Sequence, residues 1–354
     1  MQILIVKLGS IGDVVHTLPS LAAIRAAVPA AQISWAVEPR SAEILRGSPM
    51  IDRLVEVDTR RLRRARLDSA AVELRSQVRE LRSTRYDIAI DFQGLIKSGA
   101  ICKLSGAVRR WGFDRLGLRE PASRVFLTDT AATRPGVSVI CKNLALAGAA
   151  VGFDPSAAEL AFPISTGEAH RAEAAAIAAR TGPRFALLNP AGGWATKLWP
   201  AENYAALARS LSSELSLPSV VVTGPGEEPL AARVREMAGN ANVTFASPSL
   251  KGFYELARLA SVYVGGDTGP THLAVAAGAP VVGLFGPTEW WRNGSPRPDD
   301  ICVERTDIGC RVDCHRRRCS NWICMDIEVE RVAAAVAERI ERAERSAAAS
   351  KLAV

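Results

Sequence analysis

The sequence predicts an α/β protein with two doubly wound parallel sheets, and three observations support this fold class. Short apolar runs alternate with amphipathic helical patterns, as expected for strands joined by crossover helices. The alternation lapses over residues 151–167, where prolines and small residues interrupt the pattern, and resumes at Arg184. The chain has 354 residues, enough for two domains that each bury a core. We therefore predict an N-terminal domain over residues 1–160 and a C-terminal domain over residues 161–326.

The N-terminal domain begins with a predicted strand at residues 2–7, which is continuously apolar from Ile3 to Val6. Such a run is typical of a strand buried on both faces of a parallel sheet. A helix follows, because apolar residues recur at spacings of three and four from Val14 to Val28. Further strands are predicted at residues 32–37, 53–57, 87–91 and 108–111, with helices at residues 67–83, from residue 93, and at residues 137–149.

Asp13 lies just after the first predicted strand, in the first turn of the helix that follows. Ligands of open α/β sheets bind at this carboxyl edge of the strands. A carboxylate at this position is either a helix cap or a general base. His16 lies three residues further along the same helix face and could orient the carboxylate of Asp13.

The C-terminal domain repeats the pattern, with strands predicted at residues 185–189, 219–223, 243–245, 262–264 and 280–285. Helices are predicted at residues 201–214, 228–239, 252–260, 268–278 and 327–348. Three loops, residues 192–197, 224–228 and 267–272, each follow a strand, so they should meet at one edge of the sheet. Together these loops predict a site for a nucleoside diphosphate.

The chemistry of these loops supports a nucleoside diphosphate. Lys197 offers a mobile positive charge for the phosphates. The carboxylate of Glu228 can accept hydrogen bonds from a ribose diol. Thr268, the amide of Gly269 and His272 supply further donors beside the start of a helix, where anions bind favourably.

Charge and composition narrow the class of partner. The net charge of +7 favours anionic ligands, and nine arginines face only three acids between Arg60 and Arg85. A nucleic-acid partner is disfavoured, because aromatic residues are few and are not interleaved with the basic run. Neither a signal peptide nor a membrane-spanning run is recognisable, so we expect a cytoplasmic protein with at most a peripheral membrane contact.

Five segments of the chain resemble the glycosyltransferase family 9 heptosyltransferases, in particular the ADP-heptose–lipopolysaccharide heptosyltransferase I type. They read KLGSIGDVVHTLP at residues 7–19, YDIAIDFQGLIKSG at residues 86–99, FDRLGLREP at residues 113–121, KLWP at residues 197–200, and GGDTGPTHLAVAAGAPVVGLFGPT at residues 265–288. The resemblance implies the GT-B architecture, in which two Rossmann-like domains face a central cleft. It also implies that the helix at residues 327–348 packs back on the first domain.

The resemblance further implies an inverting transfer of heptose from ADP-heptose to the Kdo region of the lipopolysaccharide inner core, without a required cofactor or metal. The implied acceptor is Kdo-lipid A or a related anionic glycolipid, met at the inner membrane. Two alternatives remain open. The first alternative to a heptosyltransferase I is another family 9 enzyme with a different acceptor, such as a heptosyltransferase II-like protein. The second alternative is a GT-B sugar-nucleotide epimerase. The heptose stereochemistry and the oligomeric state are not fixed by the sequence.

Site residues are carried over from the resemblance position by position. Asp13 matches the family's proposed catalytic base. Lys197 and the helix start at Thr268 and Gly269 match groups on the donor diphosphate. Glu228 matches a contact to the adenosine ribose, and Asp267 one near the transferred sugar. Other positions concern the acceptor and the phosphate loop: Arg60, Arg63 and Arg119 fall in acceptor-side regions, and Gly192 and Gly193 stand where relatives commonly carry hydroxyl side chains.

Four cysteines near the C-terminus, at positions 310, 314, 319 and 324, lie close to His315. Four thiolates could enclose a zinc ion. The spacings of Cys310, Cys314, Cys319 and Cys324 lack the usual C-x-x-C knuckles, which favours reduced cysteines in a loop. The sequence leaves both interpretations open.

Overall fold

The computed structural model describes residues 1–64, 67–310, 314 and 316–352, with backbone alone at residues 62–64, 67–70 and 350–352. It divides into two compact units, Met1–Ser165 and Thr166–Val354. The division falls within the predicted linker, five residues beyond the predicted boundary. No helix in the described part of the chain is long and apolar enough to cross a membrane.

The first unit contains a parallel sheet of six strands in the order β3-β2-β1-β4-β5-β6. The strands are β1 (Gln2–Val6), β2 (Gln32–Val37), β3 (Arg53–Glu56), β4 (Ile88–Asp91), β5 (Arg109–Phe113) and β6 (Asp129–Ala131). Ile3 pairs with Ile33 on one side and with Ile88 on the other, so β1 is central. This strand order reverses between β1 and β4, which places a ligand-binding crevice at the carboxyl ends of these two strands.

The helices of the first unit follow the strands in alternation. They are α1 (Ile11–Val15), α2 (Leu18–Ala27), α3 (Pro39–Ala42), α4 (Thr59–Arg64), α5 (Leu67–Leu81), α6 (Ile96–Leu104) and α7 (Val139–Val151). Residues Ile3 to Val6 of β1 are completely buried, because layers cover both faces of the sheet. This burial explains the unbroken apolar run at the start of the sequence.

The second unit repeats the topology, with six parallel strands in the order β12-β11-β10-β7-β8-β9. They are β7 (Ala186–Asn189), β8 (Ser219–Val222), β9 (Val243–Ala246), β10 (Val262–Gly266), β11 (Val281–Phe285) and β12 (Ile301–Glu304). Here the order reverses between β7 and β10, whose following loops are two of the three predicted donor loops. The predicted fold class, two Rossmann-like parallel-sheet domains, is confirmed.

The helices of the second unit are α8 (Glu168–Thr181), α9 (Ala201–Glu214), α10 (Glu228–Ala238), α11 (Leu250–Leu259), α12 (Gly269–Ala277), α13 (Trp290–Asn293) and α14 (Val329–Leu352). Helix α8 and the edge strands β6 and β12 are not among the elements predicted from the sequence. Helix α8 is rich in alanine, so it shows little apolar periodicity that could reveal it.

Helix α14 belongs to the second unit. The expected packing of this helix on the first domain stays a prediction. Within the second unit, α14 packs against α9, β10, β11 and β12. Val332 and Val336 are fully buried in the same core as Leu284. Arg339 also donates from Nε to Asp300 Oδ1 at 2.8 Å. The apolar stripe of this helix therefore covers one face of the second sheet.

Candidate active site

In the first unit, Asp13 lies in the first turn of α1, at the carboxyl edge of the sheet. Its Oδ2 accepts a hydrogen bond from the Ser10 amide at 3.2 Å, which fixes the start of α1. Its Oδ1 faces two cations, with Lys7 Nζ at 3.6 Å and Arg119 Nη2 at 2.9 Å. One oxygen of Asp13 therefore caps the helix, while the other forms the ion pairs.

The environment keeps Asp13 ionised. Burial by itself raises its pKa, but the charges of Lys7 and Arg119 outweigh burial and hold that pKa far below its usual range. His16 acts in the same direction and more weakly, so it is not the principal partner that the sequence suggested. The Arg119 side chain is 48% exposed, whereas that of Lys7 is 2% exposed, so only Arg119 is accessible to a ligand.

Lys7 is a site residue that the sequence analysis missed. Burial lowers its pKa, and the neighbouring charge of Asp13 opposes that shift. Its ammonium group donates to the carbonyl oxygen of Phe92 at 2.8 Å, so it joins the loop after β1 to the loop after β4. The sequence feature that could have identified Lys7 is the position of a lysine directly after a buried apolar strand.

The loop after β4 is organised by Asp91, a buried carboxyl group. Its Oδ1 accepts from the amides of Gln93 at 2.9 Å and Gly94 at 3.1 Å, and its Oδ2 accepts from Ser98 Oγ at 2.9 Å. Burial raises the pKa of Asp91 to about 6, although these hydrogen bonds act in the opposite direction. Asp91 therefore fixes the conformation of the loop after β4, which is the strand next to β1 at the sheet edge where Asp13 lies.

A second buried carboxylate, Glu38, follows β2 and gathers basic side chains. It accepts hydrogen bonds from Lys97 Nζ at 3.0 Å and Thr59 Oγ1 at 2.5 Å. Arg40 Nε and Arg60 Nε lie 3.7 and 3.8 Å from its Oε2. Burial by itself raises the pKa of Glu38, but the hydrogen bonds from Thr59 and Lys97 act in the opposite direction. The net result is a pKa below the usual value.

Three cations around Glu38 leave a surplus of positive charge at the carboxyl edge of the first sheet, which suits an anionic ligand. Arg60 is thus placed where the sequence predicted a basic site, and Lys97 and Arg40 are additions to it. The side chain of Arg63, the third predicted acceptor residue, lies outside the described residues.

In the second unit, the loop after β7 carries Gly192 and Gly193. A Cβ atom on Gly192 would lie 3.0 Å from Leu198 Cδ2 and 3.3 Å from Thr268 Cγ2. The loop after β7 therefore packs closely against the loop after β10. A Cβ atom on Gly193 would meet no atom within 4 Å, so the space beside this glycine is open.

Lys197, Asp267 and His272 form one cluster at this edge, where two of the three predicted loops meet. Lys197 Nζ lies 2.5 Å from Asp267 Oδ2, and His272 Nε2 lies 3.2 Å from Asp267 Oδ1. Two residues absent from the prediction complete it, since Thr288 Oγ1 donates to Asp267 Oδ2 at 2.7 Å and Asn293 Nδ2 at 3.3 Å. Burial raises the pKa of Asp267, but His272 and Lys197 hold it far below its usual range.

Helix α12 begins beside this cluster, with Thr268 as its N-cap residue. The Thr268 side chain makes no capping hydrogen bond, and its hydroxyl instead lies 3.3 Å from Thr271 Oγ1. The first turn of α12 is therefore not capped by its own N-cap side chain. Such a helix start attracts anions through its amides and dipole.

Glu228 stands apart from the cluster, at the exposed first residue of α10. Its Oε1 accepts from the Gly226 amide at 3.1 Å, and hydrogen bonds from the backbone of Glu228 itself and of Gly226 lower its pKa. The strand before it, β8, is the neighbour of β7 in the sheet. Glu228 therefore lies one strand away from the loop that carries Lys197.

The described part of the chain, which includes four C-terminal cysteines but not His315, contains no group of three or more His, Cys, Asp or Glu residues arranged to hold a metal ion. All of Cys310, Cys314, Cys319 and Cys324 are free thiols. Burial raises the pKa of Cys324, and the other three thiols add to that shift.

Residues 74–322 match the family model described as glycosyltransferase family 9 (heptosyltransferase). The chain is 30% identical to lipopolysaccharide heptosyltransferase 1 of Pseudomonas aeruginosa, over 81% of this chain and 79% of that protein. It is 29% identical to the Salmonella typhimurium protein of the same name, over 82% and 89% of the two chains.

The fold is also similar to solved structures. The structure of E. coli heptosyltransferase WaaC with ADP has a TM-score of 0.74 and 28% identity, over 85% of this chain and 92% of that one. The structure of the same enzyme with ADP-2-deoxy-2-fluoro heptose has a TM-score of 0.74 and 26% identity, over 97% and 99% of the two chains.

Proposed function

We propose, on the premise that the chain belongs to glycosyltransferase family 9, the heptosyltransferase family, that it transfers heptose from ADP-heptose to the Kdo region of the lipopolysaccharide inner core. Two kinds of similarity support this function. The curated relatives are lipopolysaccharide heptosyltransferases 1, and the similar solved structures contain ADP and an ADP-heptose analogue. The observation that carries the proposal is the carboxylate of Asp13, kept ionised at the carboxyl edge of β1 by Lys7 and Arg119.

The donor ADP-heptose binds at the carboxyl edge of the second sheet. Lys197 and the amides at the start of α12, beginning at Gly269, bind the diphosphate, with the backbone amides of Gly192 and Gly193 beside them. Glu228 accepts hydrogen bonds from the ribose hydroxyls. Lys197 is paired with Oδ2 of Asp267 in this structure, so its move toward the phosphates leaves that oxygen with Thr288 and Asn293 as partners and able to accept from a hydroxyl of the sugar. His272 holds the other oxygen in place.

The reaction is a single displacement with inversion. Asp13 removes the proton from the acceptor hydroxyl while that oxygen attacks the anomeric carbon of the donor. The bond from this carbon to the diphosphate breaks on the opposite face. The negative charge that develops on ADP is stabilised by Lys197 and by the amides of α12. No resident cofactor takes part in these steps.

Acceptor binding makes Asp13 a better base. A carboxylate paired with Lys7 and Arg119 holds a proton poorly, and a general base works best when its pKa is near the working pH. Arg119 is accessible, so an anionic group on the acceptor draws its guanidinium away from Asp13. The loss of one neighbouring cation raises the pKa of Asp13. The base is therefore activated by the substrate that it deprotonates.

The acceptor is an anionic glycolipid, Kdo-lipid A or a related molecule. Its carboxylates and phosphates match the surplus cations around Glu38, namely Arg40, Arg60 and Lys97, together with Arg119 and Arg63. Because this acceptor is a membrane lipid, the enzyme works at the cytoplasmic face of the inner membrane as a peripheral protein. Binding to vesicles that contain the acceptor, compared with vesicles of neutral lipid alone, tests this placement.

Product analysis tests the function directly. The protein is incubated with ADP-heptose and a Kdo-bearing lipid A that carries no heptose, and the products are identified by mass spectrometry. The expected result is an acceptor that has gained one heptose, with release of one ADP. Transfer only to an acceptor that already carries heptose would assign a second-heptose enzyme. Conversion of ADP-heptose in the absence of an acceptor would assign an epimerase.

A further inference from the structure

The indole of Trp194, in the loop after β7, lies beside two cationic side chains. Lys197 Nζ is 4.3 Å from the centre of its ring, and Arg317 Cζ is 5.0 Å from it. Both distances fall within the range of cation–π attraction, about 6 Å. Trp194 therefore places a second cation, from a distant part of the chain, beside the lysine that the proposed function assigns to the diphosphate.

The segment that carries Arg317 is tied to this loop on both sides. Thr196 Oγ1 donates to the carbonyl oxygen of Arg316 at 2.7 Å, and Trp322 Nε1 donates to the carbonyl oxygen of Thr196 at 2.9 Å. Thr196 is itself buried, so it provides a fixed anchor. The guanidinium of Arg317 is thus positioned by backbone contacts before and after it as well as by Trp194.

The side chain of Arg317 is exposed, and within the described part of the chain no carboxylate forms an ion pair with it. Lys197, by contrast, is paired with Asp267. A guanidinium and an ammonium on one ring repel each other, and a ligand with several negative charges relieves that repulsion.

The glycine pair in the loop beside Trp194 has no side-chain donors for such a ligand. Gly192 and Gly193 offer only backbone N–H groups, and the space next to Gly193 is open. A guanidinium supplies up to five N–H donors in a planar fork that matches phosphate oxygens. Arg317 can therefore supply from outside the loop what the glycine pair does not.

We propose that Arg317, oriented by Trp194, is a second cation for the diphosphate of the donor. This inference rests on the proposed function, since it places a further residue in the same donor site. It also assigns a role to residues 316–322, whose contacts through Arg316 and Trp322 hold Arg317 beside the loop that carries Lys197.

The test compares Arg317→Ala with Arg318→Ala, which removes the same charge from the adjacent exposed position. Affinities for ADP and for adenosine are measured by calorimetry for both variants and the unaltered protein. The dissociation constant of ADP is expected to rise roughly tenfold in Arg317→Ala, which corresponds to about 1.4 kcal/mol. The affinity for adenosine should stay unchanged, and Arg318→Ala should bind ADP normally. Arg317→Lys should restore part of the ADP affinity, because it keeps the charge without the fork.

Equal weakening of ADP binding by both alanine variants would indicate a general electrostatic effect of positive charge instead of a direct contact by Arg317. That result would overturn the proposal. A parallel loss of adenosine binding in Arg317→Ala would show that the residue only supports the loop. Lys197→Ala distinguishes a failure of the Arg317 proposal from a failure of the proposed donor site. If it loses ADP affinity while Arg317→Ala does not, the donor site stands and the role of Arg317 is rejected. If the unaltered protein does not bind ADP, the proposed function itself fails.

Discussion

Arg119 donates from Nη2 to Oδ1 of Asp13 at 2.9 Å, although 106 residues separate the two in the chain. The contact joins the loop after β5 to the first turn of α1. Arg119 is half exposed and Asp13 mostly buried, so a ligand can reach the guanidinium more easily than the carboxylate. Under the proposed function, this pair would couple binding of an acceptor anion to the basicity of Asp13.

Arg119→Ala should weaken acceptor binding and shift the pH dependence of transfer. With one cation removed, the pKa of Asp13 rises, and the acidic limb of kcat/KM moves to higher pH because only the ionised carboxylate accepts a proton. KM for the acceptor should rise about tenfold with loss of a charge-assisted contact. KM for the donor should not change.

Arg115→Ala is the matched control for this variant, since Arg115 is an exposed arginine four residues earlier in the same segment. It should behave like the unaltered protein in both measurements. An acidic limb that stays in place in Arg119→Ala would show that Arg119 does not control the base.

Glu38→Gln should impair the acceptor site while leaving the donor site intact. The change removes the charge that holds Lys97, Arg40 and Arg60 together, so these cations lose their common orientation. We expect KM for the acceptor to rise several-fold and ADP affinity to remain constant. Steady-state kinetics with each substrate varied in turn provide the measurement.

Glu43→Gln serves as its control, because Glu43 pairs with Arg46 at the surface, where such an ion pair contributes little. Equal effects of the two substitutions would mean that the cluster around Glu38 is structural only.

The fold and part of the site follow from local sequence patterns. The apolar run of β1 and the turn after it were enough to place Asp13 at the sheet edge. Regular alternation in the second half brought Lys197 and Asp267 to adjacent loops, where they indeed form an ion pair. These features depend on strand order and on residues near strand ends, which periodicity reveals.

Other features depend on contacts between distant segments, and no local pattern encodes them. The Glu38 cluster takes Thr59 from the start of α4 and Lys97 from the start of α6, and Thr288 reaches Asp267 from the loop after β11. The packing of α14 also depends on contacts between distant segments. Its apolar stripe predicts a helix with one buried face but does not say which sheet that face covers.

Asp91 should make the stability of the protein depend on pH. Its folded pKa of about 6 lies above the ordinary value of 3.8, so ionisation costs more in the folded state than in the unfolded chain. The contribution of the protonated group is fully present below about pH 4 and is lost as the pH rises through about 6. Asp91→Asn stays neutral and keeps the acceptor for the amides of Gln93 and Gly94.

The free energy of unfolding of Asp91→Asn, relative to that of the unaltered protein, should therefore increase between pH 4 and pH 7. An increase of about 2–3 kcal/mol is expected, since each whole pH step between folded and unfolded pKa values is worth about 1.4 kcal/mol. Urea unfolding at several pH values measures it. Parallel stability curves for the two proteins would contradict the buried, proton-holding role of Asp91.

Lys197→Ala should weaken ADP binding roughly 10- to 100-fold, the range expected when a hydrogen bond to a charged group is lost. Acceptor binding should be unaffected, because the proposed function assigns the residue to the donor site. Lys103→Ala, which removes an exposed lysine of the first unit, should bind ADP normally. Unchanged ADP affinity in Lys197→Ala would remove this residue from the diphosphate site.

The most direct test of the central claim is the rate of heptose transfer by Asp13→Asn and Asp13→Ala at saturating donor and acceptor. Removal of the base should lower this rate by a factor of about 10²–10⁴. Calorimetry should show that ADP still binds with its normal affinity, and thermal unfolding should show that the protein remains folded despite the lost partner of Lys7. A folded variant that transfers heptose at nearly the normal rate would contradict the assignment of Asp13 as the catalytic base.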